Sequence, residues 1–211
     1  MTENYDNTFQ LIYSLRQAGI TDNRILSCIE HTDRSRFLGK SFKHRSSEDI
    51  ALPISCGQTI SQPTVVAKMM QLLELSKKDK ILEIGTGSGY QAALLSKLVR
   101  RVYTVERQSL LAREATALIA ELNIGNVTVI KGDGALGLPI QAPFDKILIT
   151  AAAEEIPKLL LDQLKTSGIM VLPLGPVDDY QILTKITKNT GSLEYQELDK
   201  VNFVPLLPDI N

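Results

Sequence analysis

The chain has 211 residues, 44% apolar and 22% charged, with a formal net charge of −1. That length suits one α/β domain with a small appendage, and the charge excludes the broadly basic surface of a general nucleic-acid binder. No apolar run approaches the roughly 20 residues of a membrane span, the first residues are polar and acidic, and Cys28 and Cys56 have no metal-ligand spacing. A monomeric cytoplasmic protein with free thiols is expected, with no membrane, nucleic-acid or metal partner.

Residues 1–50 read as helical and polar. Phe9, Ile12 and Tyr13 share one face of a first helix, and Ile25, Leu26 and Ile29 one face of a second. Gly19 stops the first, and Thr21 or Asp22 caps the second. Residues 51–62 lack periodicity and read as an extended loop. Pro63 fits the first turn of a helix whose apolar face is Val65, Val66, Met69, Met70, Leu72 and Leu73.

From Lys80 strands and helices alternate. Strands are expected at 80–84, 101–105, 127–131, 144–150 and 168–173, and helices at 90–99, 107–122 and 155–165. Two further strands, 180–187 and 193–204, flank a turn-rich joint at 188–192 and favour an antiparallel hairpin. This is the pattern of a doubly wound, mostly parallel α/β sheet covered on both faces, with a C-terminal hairpin and an N-terminal helical extension.

The first strand runs into Glu83-Ile84-Gly85-Thr86-Gly87-Ser88-Gly89. Strand, glycine loop and helix form a frame for a nucleotide-type cofactor, because the glycines let the main chain approach a ligand and the next helix points free N–H groups at it. Glu106 closes the second strand, 21 residues after Gly85 (85 to 106), where an acid reaches ribose hydroxyls. The spacing is Gly-x-Gly-x-Gly, and Glu83 precedes it. A pyrophosphate sits poorly beside that carboxylate, whereas the cationic amino-acid end of S-adenosylmethionine matches it. Asp133, in Gly132-Asp133-Gly134, is placed to accept a hydrogen bond from an adenine amino group, although Asp-Gly is also a common turn pair.

Beyond the loop, the stretches Gly-Gln-Thr-Ile-Ser-Gln-Pro (57–63), Leu-Glu-Ile-Gly-Thr-Gly-Ser-Gly-Tyr-Gln (82–91), Gly-Asp-Gly (132–134), Ala-Pro-Phe-Asp (142–145), Ile-Thr-Ala-Ala (149–152), Ile-Pro (156–157) and Phe-Val-Pro-Leu (203–206) resemble the protein-L-isoaspartate O-methyltransferases. The match runs from about Ile20 to Leu206, and 57–63 is its most specific part. The resemblance implies a seven-stranded, Rossmann-like class I methyltransferase fold. It implies S-adenosyl-L-methionine as methyl donor, S-adenosyl-L-homocysteine as product, and isoaspartyl residues of damaged proteins and peptides as substrate. It implies cofactor contacts from Glu83, Gly85, Thr86, Gly87, Ser88, Gly89, Glu106, Asp133 and Gly134, and substrate contacts from Pro53, Ile54, Thr59, Ile60, Val204 and Pro205. It makes Ser61 the active-site residue; from the residues alone, Ser61 reads as a helix N-cap ahead of Pro63. Ser55 and Cys56 stand where the family commonly has glycine and then a polar residue, and Asn202 where bacterial members often have arginine.

On this reading one domain spans 1–211: an extension at 1–50, a substrate loop and helix at 51–79, and the methyltransferase core at 80–211. A substrate carboxylate is already ionised at neutral pH, so the site needs no strong general base. Two other readings keep the glycine loop: a methyltransferase acting on a small molecule or nucleic acid, and a catalytically silent binding module.

Overall fold

A computed structural model describes residues 2–207. Residue 1 and residues 208–211, the ends of the expected single domain, lie outside the described residues.

Helices α1 (Thr2–Gln17) and α2 (Asn23–Glu30) form the extension. Gly19 turns the chain at φ 90°, and the Asp22 side chain caps α2 by accepting from Arg24 N at 2.9 Å. The inward face of α1 differs from the expected one. Phe9 and Tyr13 are 73% and 58% exposed, whereas Leu11 and Leu15 are buried. Two apolar stripes compete on this helix, and packing against α2 and the following helix selects the one carrying the Leu11–Leu15 pair. On α2, Ile25, Leu26 and Ile29 are buried as expected, together with Cys28.

Two 3₁₀ turns, Arg34–Phe37 and Lys40–Arg45, lead to a small hairpin within the stretch expected to be loop. Its strands are β1 (Leu52–Pro53) and β2 (Thr59–Ile60), with Leu52 opposite Ile60 and Pro53 opposite Thr59. Strands of two residues are too short to show a period of two, so the pattern could not reveal them. Between them Cys56 and Gly57 take φ 59° and 67°. Helix α3 (Pro63–Leu72) follows, with Pro63 in its first turn and Val66, Ala67, Met69 and Met70 buried.

The remaining elements are β3 (Lys80–Ile84), α4 (Tyr90–Ser96), β4 (Arg101–Glu106), α5 (Ser109–Glu121), β5 (Val127–Lys131), β6 (Phe144–Ile149), α6 (Lys158–Asp162), β7 (Leu164–Leu174), β8 (Gln181–Asn189) and β9 (Ser192–Val201). The seven strands order as β5-β4-β3-β6-β7-β8-β9; the first five run parallel, β8 returns antiparallel to β7, and β9 runs antiparallel to β8. Helix α6 is shorter than expected because Leu164 already pairs with Phe144, before a register shift that precedes Lys146↔Ile169. The joint between β8 and β9 shrinks to Thr190-Gly191, since pairing continues to Asn189↔Ser192.

The central strands bury side chains on both faces because both faces of the sheet are covered. Ile81, Val102 and Leu148 join one buried cluster with Val66, Met70 and Leu94. Leu82, Ile84, Ile147 and Ile149 join a second with Leu160. Each such fully buried side chain contributes about 1.5–3 kcal/mol. Strand order reverses about β3, where β4 lies on one side and β6 on the other. The carboxyl ends of the strands at such a reversal open a crevice for a ligand.

Candidate active site

That crevice is a cavity of about 210 Å³. Its floor is the glycine loop. Gly85 takes φ 92°, and a Cβ there would lie 2.3 Å from Thr150 Oγ1. The Thr150 hydroxyl sits so close because it donates to the carbonyls of Ile84 (2.9 Å) and Gly85 (2.8 Å). Positive φ and this close approach both demand glycine. Glu106 braces the loop from the next strand: its Oε2 accepts from Gly87 N and its Oε1 from Gln108 N, each at 2.9 Å. A carboxylate has about four acceptor positions, so each oxygen keeps capacity for a ligand hydroxyl.

Gly134 lines the cavity, and a Cβ there would meet Ile84 Cγ2 at 2.4 Å. Asp133 does not line it; its Oδ1 accepts from Ala135 N at 2.8 Å, the turn role that its sequence context also suggested. Glu83 also stands behind the cavity wall. It is 0% exposed, and neither carboxylate oxygen has a hydrogen-bond partner among the described residues. Burial, followed by the charge of Glu106, pushes its carboxyl up to about 8. Glu83 does not reach the cavity lining in this geometry.

Opposite the loop, Thr59, Ile60 and Ser61 line the cavity from the hairpin. Pro53 and Ile54 lie outside the lining: Pro53 pairs with Thr59, and Ile54 donates its N–H to Gln58 O at 2.8 Å and packs toward Gly87. Ser61 is not the cap of α3. The N-cap position is Gln62, and the carboxylate of Asp49 satisfies the first turn, accepting from Thr64 N (2.8 Å), Thr64 Oγ1 (2.6 Å) and Gln62 Nε2 (3.2 Å). The Ser61 hydroxyl makes no hydrogen bond to any described residue.

The third wall comes from the end of the chain. Strand β9 stops at Val201 rather than Val204. Phe203 N donates to the Gln181 side chain at 2.9 Å, and residues 204–206 pair with the main chain of Ala152 instead. Ala152 N donates to Val204 O, and Leu206 N to Ala152 O, both at 2.8 Å. Val204 and Pro205 are thereby brought over the cavity. A wider groove, about 830 Å³, continues outward from Ser61, Thr59, Thr150 and Val204 past Asp178, Tyr180, Lys200 and Asn202.

Of the expected residues, Thr59, Ile60, Ser61, Gly85, Thr86, Gly87, Ser88, Glu106, Gly134, Val204 and Pro205 line one cavity. Gly89 takes the N-cap position of α4 at φ 83° and is not in the lining. Gln91 and Thr150 line it without having been singled out, and Gln91 Nε2 is buried with no partner among the described residues. Gln91 ends one recognised motif and Thr150 lies in another; neither residue type signals a ligand alone. The buried Tyr90, whose hydroxyl burial pushes above its ordinary pKa, forms part of the same wall.

Comparison with known proteins bears on this site. Residues 6–210 match the family model described as protein-L-isoaspartate(D-aspartate) O-methyltransferase. A protein-L-isoaspartate O-methyltransferase of Roseobacter denitrificans is 54% identical over 202 residues, 96% of this chain and 95% of its own length. A solved protein-L-isoaspartate O-methyltransferase superposes with a TM-score of 0.85 at 29% identity, over 94% of this chain and 65% of that one. A Plasmodium falciparum protein assigned to the same class, solved in complex with S-adenosyl-L-homocysteine, superposes with a TM-score of 0.81 at 26% identity, over 94% of this chain and 97% of that one.

Proposed function

The chain belongs to the protein-L-isoaspartate(D-aspartate) O-methyltransferase family, and from that premise we propose a task for each wall of the cleft. The enzyme transfers the methyl group of S-adenosyl-L-methionine to the free carboxylate of L-isoaspartyl residues in damaged proteins and peptides, the first step of their repair to aspartate. The observation that carries our assignment of residues is the single cavity shared by the glycine loop, the carboxylate of Glu106 and the hydroxyl-bearing turn at Thr59–Ser61.

The cofactor fits the residues present. The main chain of Gly85–Ser88 and Gly134 offers close approach, Glu106 retains acceptor capacity for ribose hydroxyls, and the orphaned Gln91 amide offers a donor. When bound, S-adenosyl-L-methionine supplies an electrophilic methyl carbon on a sulfonium. The isoaspartyl carboxylate is ionised at neutral pH and is itself the nucleophile, so the protein's work is alignment and exclusion of water. Ser61, with its hydroxyl unengaged, orients that carboxylate by donating a hydrogen bond. The peptide on either side follows the groove between Val204 and Lys200, with Thr59, Ile60, Val204 and Pro205 against it. Pro53, Ile54, Gly89, Glu83 and Asp133 support these walls from behind.

A single domain, acting as a monomer in the cytoplasm, completes the reading. The two cysteines are free thiols, and no described helix is long and apolar enough to cross a membrane. The decisive experiment supplies labelled S-adenosyl-L-methionine with an isoaspartyl peptide and its aspartyl twin. Base-labile methyl ester is expected on the isoaspartyl peptide alone. Cofactor binding with no transfer to that peptide would return the chain to a different acceptor or to a silent binding role.

A further inference from the structure

Arg34 belongs to no motif and touches neither cavity, yet it is 4% exposed. Burying a guanidinium is costly unless its donors are satisfied. Here both terminal nitrogens donate to main-chain carbonyls, while the buried Nε has no partner among the described residues. Nη1 donates to Ser46 O (3.1 Å) and Glu48 O (3.2 Å), and Nη2 to Ile50 O (2.9 Å) and Ser61 O (3.1 Å). The same guanidinium lies 6.0 Å from the ring centroid of Tyr90, the first residue of α4 and part of the cofactor wall.

The segment that Arg34 grips carries Asp49, whose carboxylate holds Gln62 and Thr64. Ser61 is thus held on both sides, its own carbonyl by Arg34 and the next turn by Asp49. A planar fork of donors suits this task, whereas lysine concentrates three donors on one atom and cannot span the same carbonyls.

We propose that Arg34 and Asp49 are positioning residues for methyl transfer, fixing the height and orientation of Ser61 over the cofactor cleft without touching substrate. This rests on the reading of Ser61 given above. Misplacement of a reacting group by about 1 Å costs on the order of a hundredfold in rate, so a loosened frame is visible in turnover.

The test measures kcat on an isoaspartyl peptide, S-adenosyl-L-homocysteine affinity and Tm for Arg34→Lys, Asp49→Asn, Ser61→Ala and the doubles Arg34→Lys/Ser61→Ala and Asp49→Asn/Ser61→Ala. Arg34→Lys is expected to lower kcat by about tenfold or more, and Asp49→Asn by a smaller factor, with cofactor affinity retained. Each double is expected to be no slower than Ser61→Ala alone, because each positioning residue acts through Ser61. If Ser61→Ala is slow but the positioning variants match wild type, or their losses multiply with it, the proposal is overturned and the reading of Ser61 stands. If Ser61→Ala has full turnover, that reading fails and the proposal with it. Should Arg34→Lys not fold, the Asp49 cycle carries the same decision.

Discussion

The cofactor wall is made within one strand–loop–helix–strand run, in which Gly85–Ser88 is braced by Glu106 from the next strand. The substrate wall joins Thr59–Ser61, Thr150 and Val204–Pro205, held from behind by Arg34 and Asp49, segments that meet through hydrogen bonds to distant main chain. A wall of the first kind is specified by local torsions and register. A wall of the second kind depends on polar contacts across long sequence separations, so its residues carry no local signature. The two should fail differently when altered.

The largest effect is expected from Gly85→Ala. Positive φ and a Cβ 2.3 Å from Thr150 Oγ1 act together, at a cost of about 3 kcal/mol or more. Thermal unfolding should shift down by several degrees and cofactor binding should be lost. Adding Thr150→Ala should recover part of the stability, since it removes the clash and leaves the torsional strain. No recovery in the double variant would mean that torsion alone dictates this glycine.

Ser61→Ala should break the other wall selectively. Turnover on an isoaspartyl peptide should fall by about tenfold to a hundredfold, with cofactor affinity and Tm unchanged, because the hydroxyl has no partner among the described residues. A matching loss of cofactor affinity would show that the two walls are not separable. Glu106→Gln should do the reverse. Its amide cannot accept from both Gly87 N and Gln108 N, so cofactor affinity should drop by about tenfold, with kcat at saturation least affected. Calorimetric titration with S-adenosyl-L-homocysteine reads this directly.

The smallest effect on function belongs to Glu83. Its carboxyl titrates at about 8 in the folded chain, against 4.5 when exposed. Between those values the unfolded chain releases a proton that the folded chain keeps, so stability falls as pH rises from about 4.5 to about 8 and levels off above. Glu83→Gln should remove this part of the slope in pH-dependent denaturation and leave cofactor affinity nearly intact, since Glu83 lies behind the wall. A collapse of affinity in that variant would restore the direct charge pairing expected from its place before the glycines.

Local sequence determined much of this protein. The apolar runs at 80–84, 127–131 and 144–149, the glycines after the first of them and Glu106 at the end of the next strand specify a covered parallel sheet and a ligand crevice at its reversal point. These features are legible because strand period, glycine torsions and loop spacing act between near neighbours. Tertiary structure decided which stripe of α1 faces inward, that Asp49 and not Ser61 caps α3, that Glu83 is sealed from the cavity, and that the chain leaves β9 at Val201 to lay Val204 and Pro205 over the site. Each of these depends on where a distant donor or acceptor lies, and burial makes that choice binding because an unsatisfied polar group inside the fold is costly. The glycine loop could be read from its own residues, whereas the placement of Ser61 depends on Arg34, 27 residues earlier in the chain.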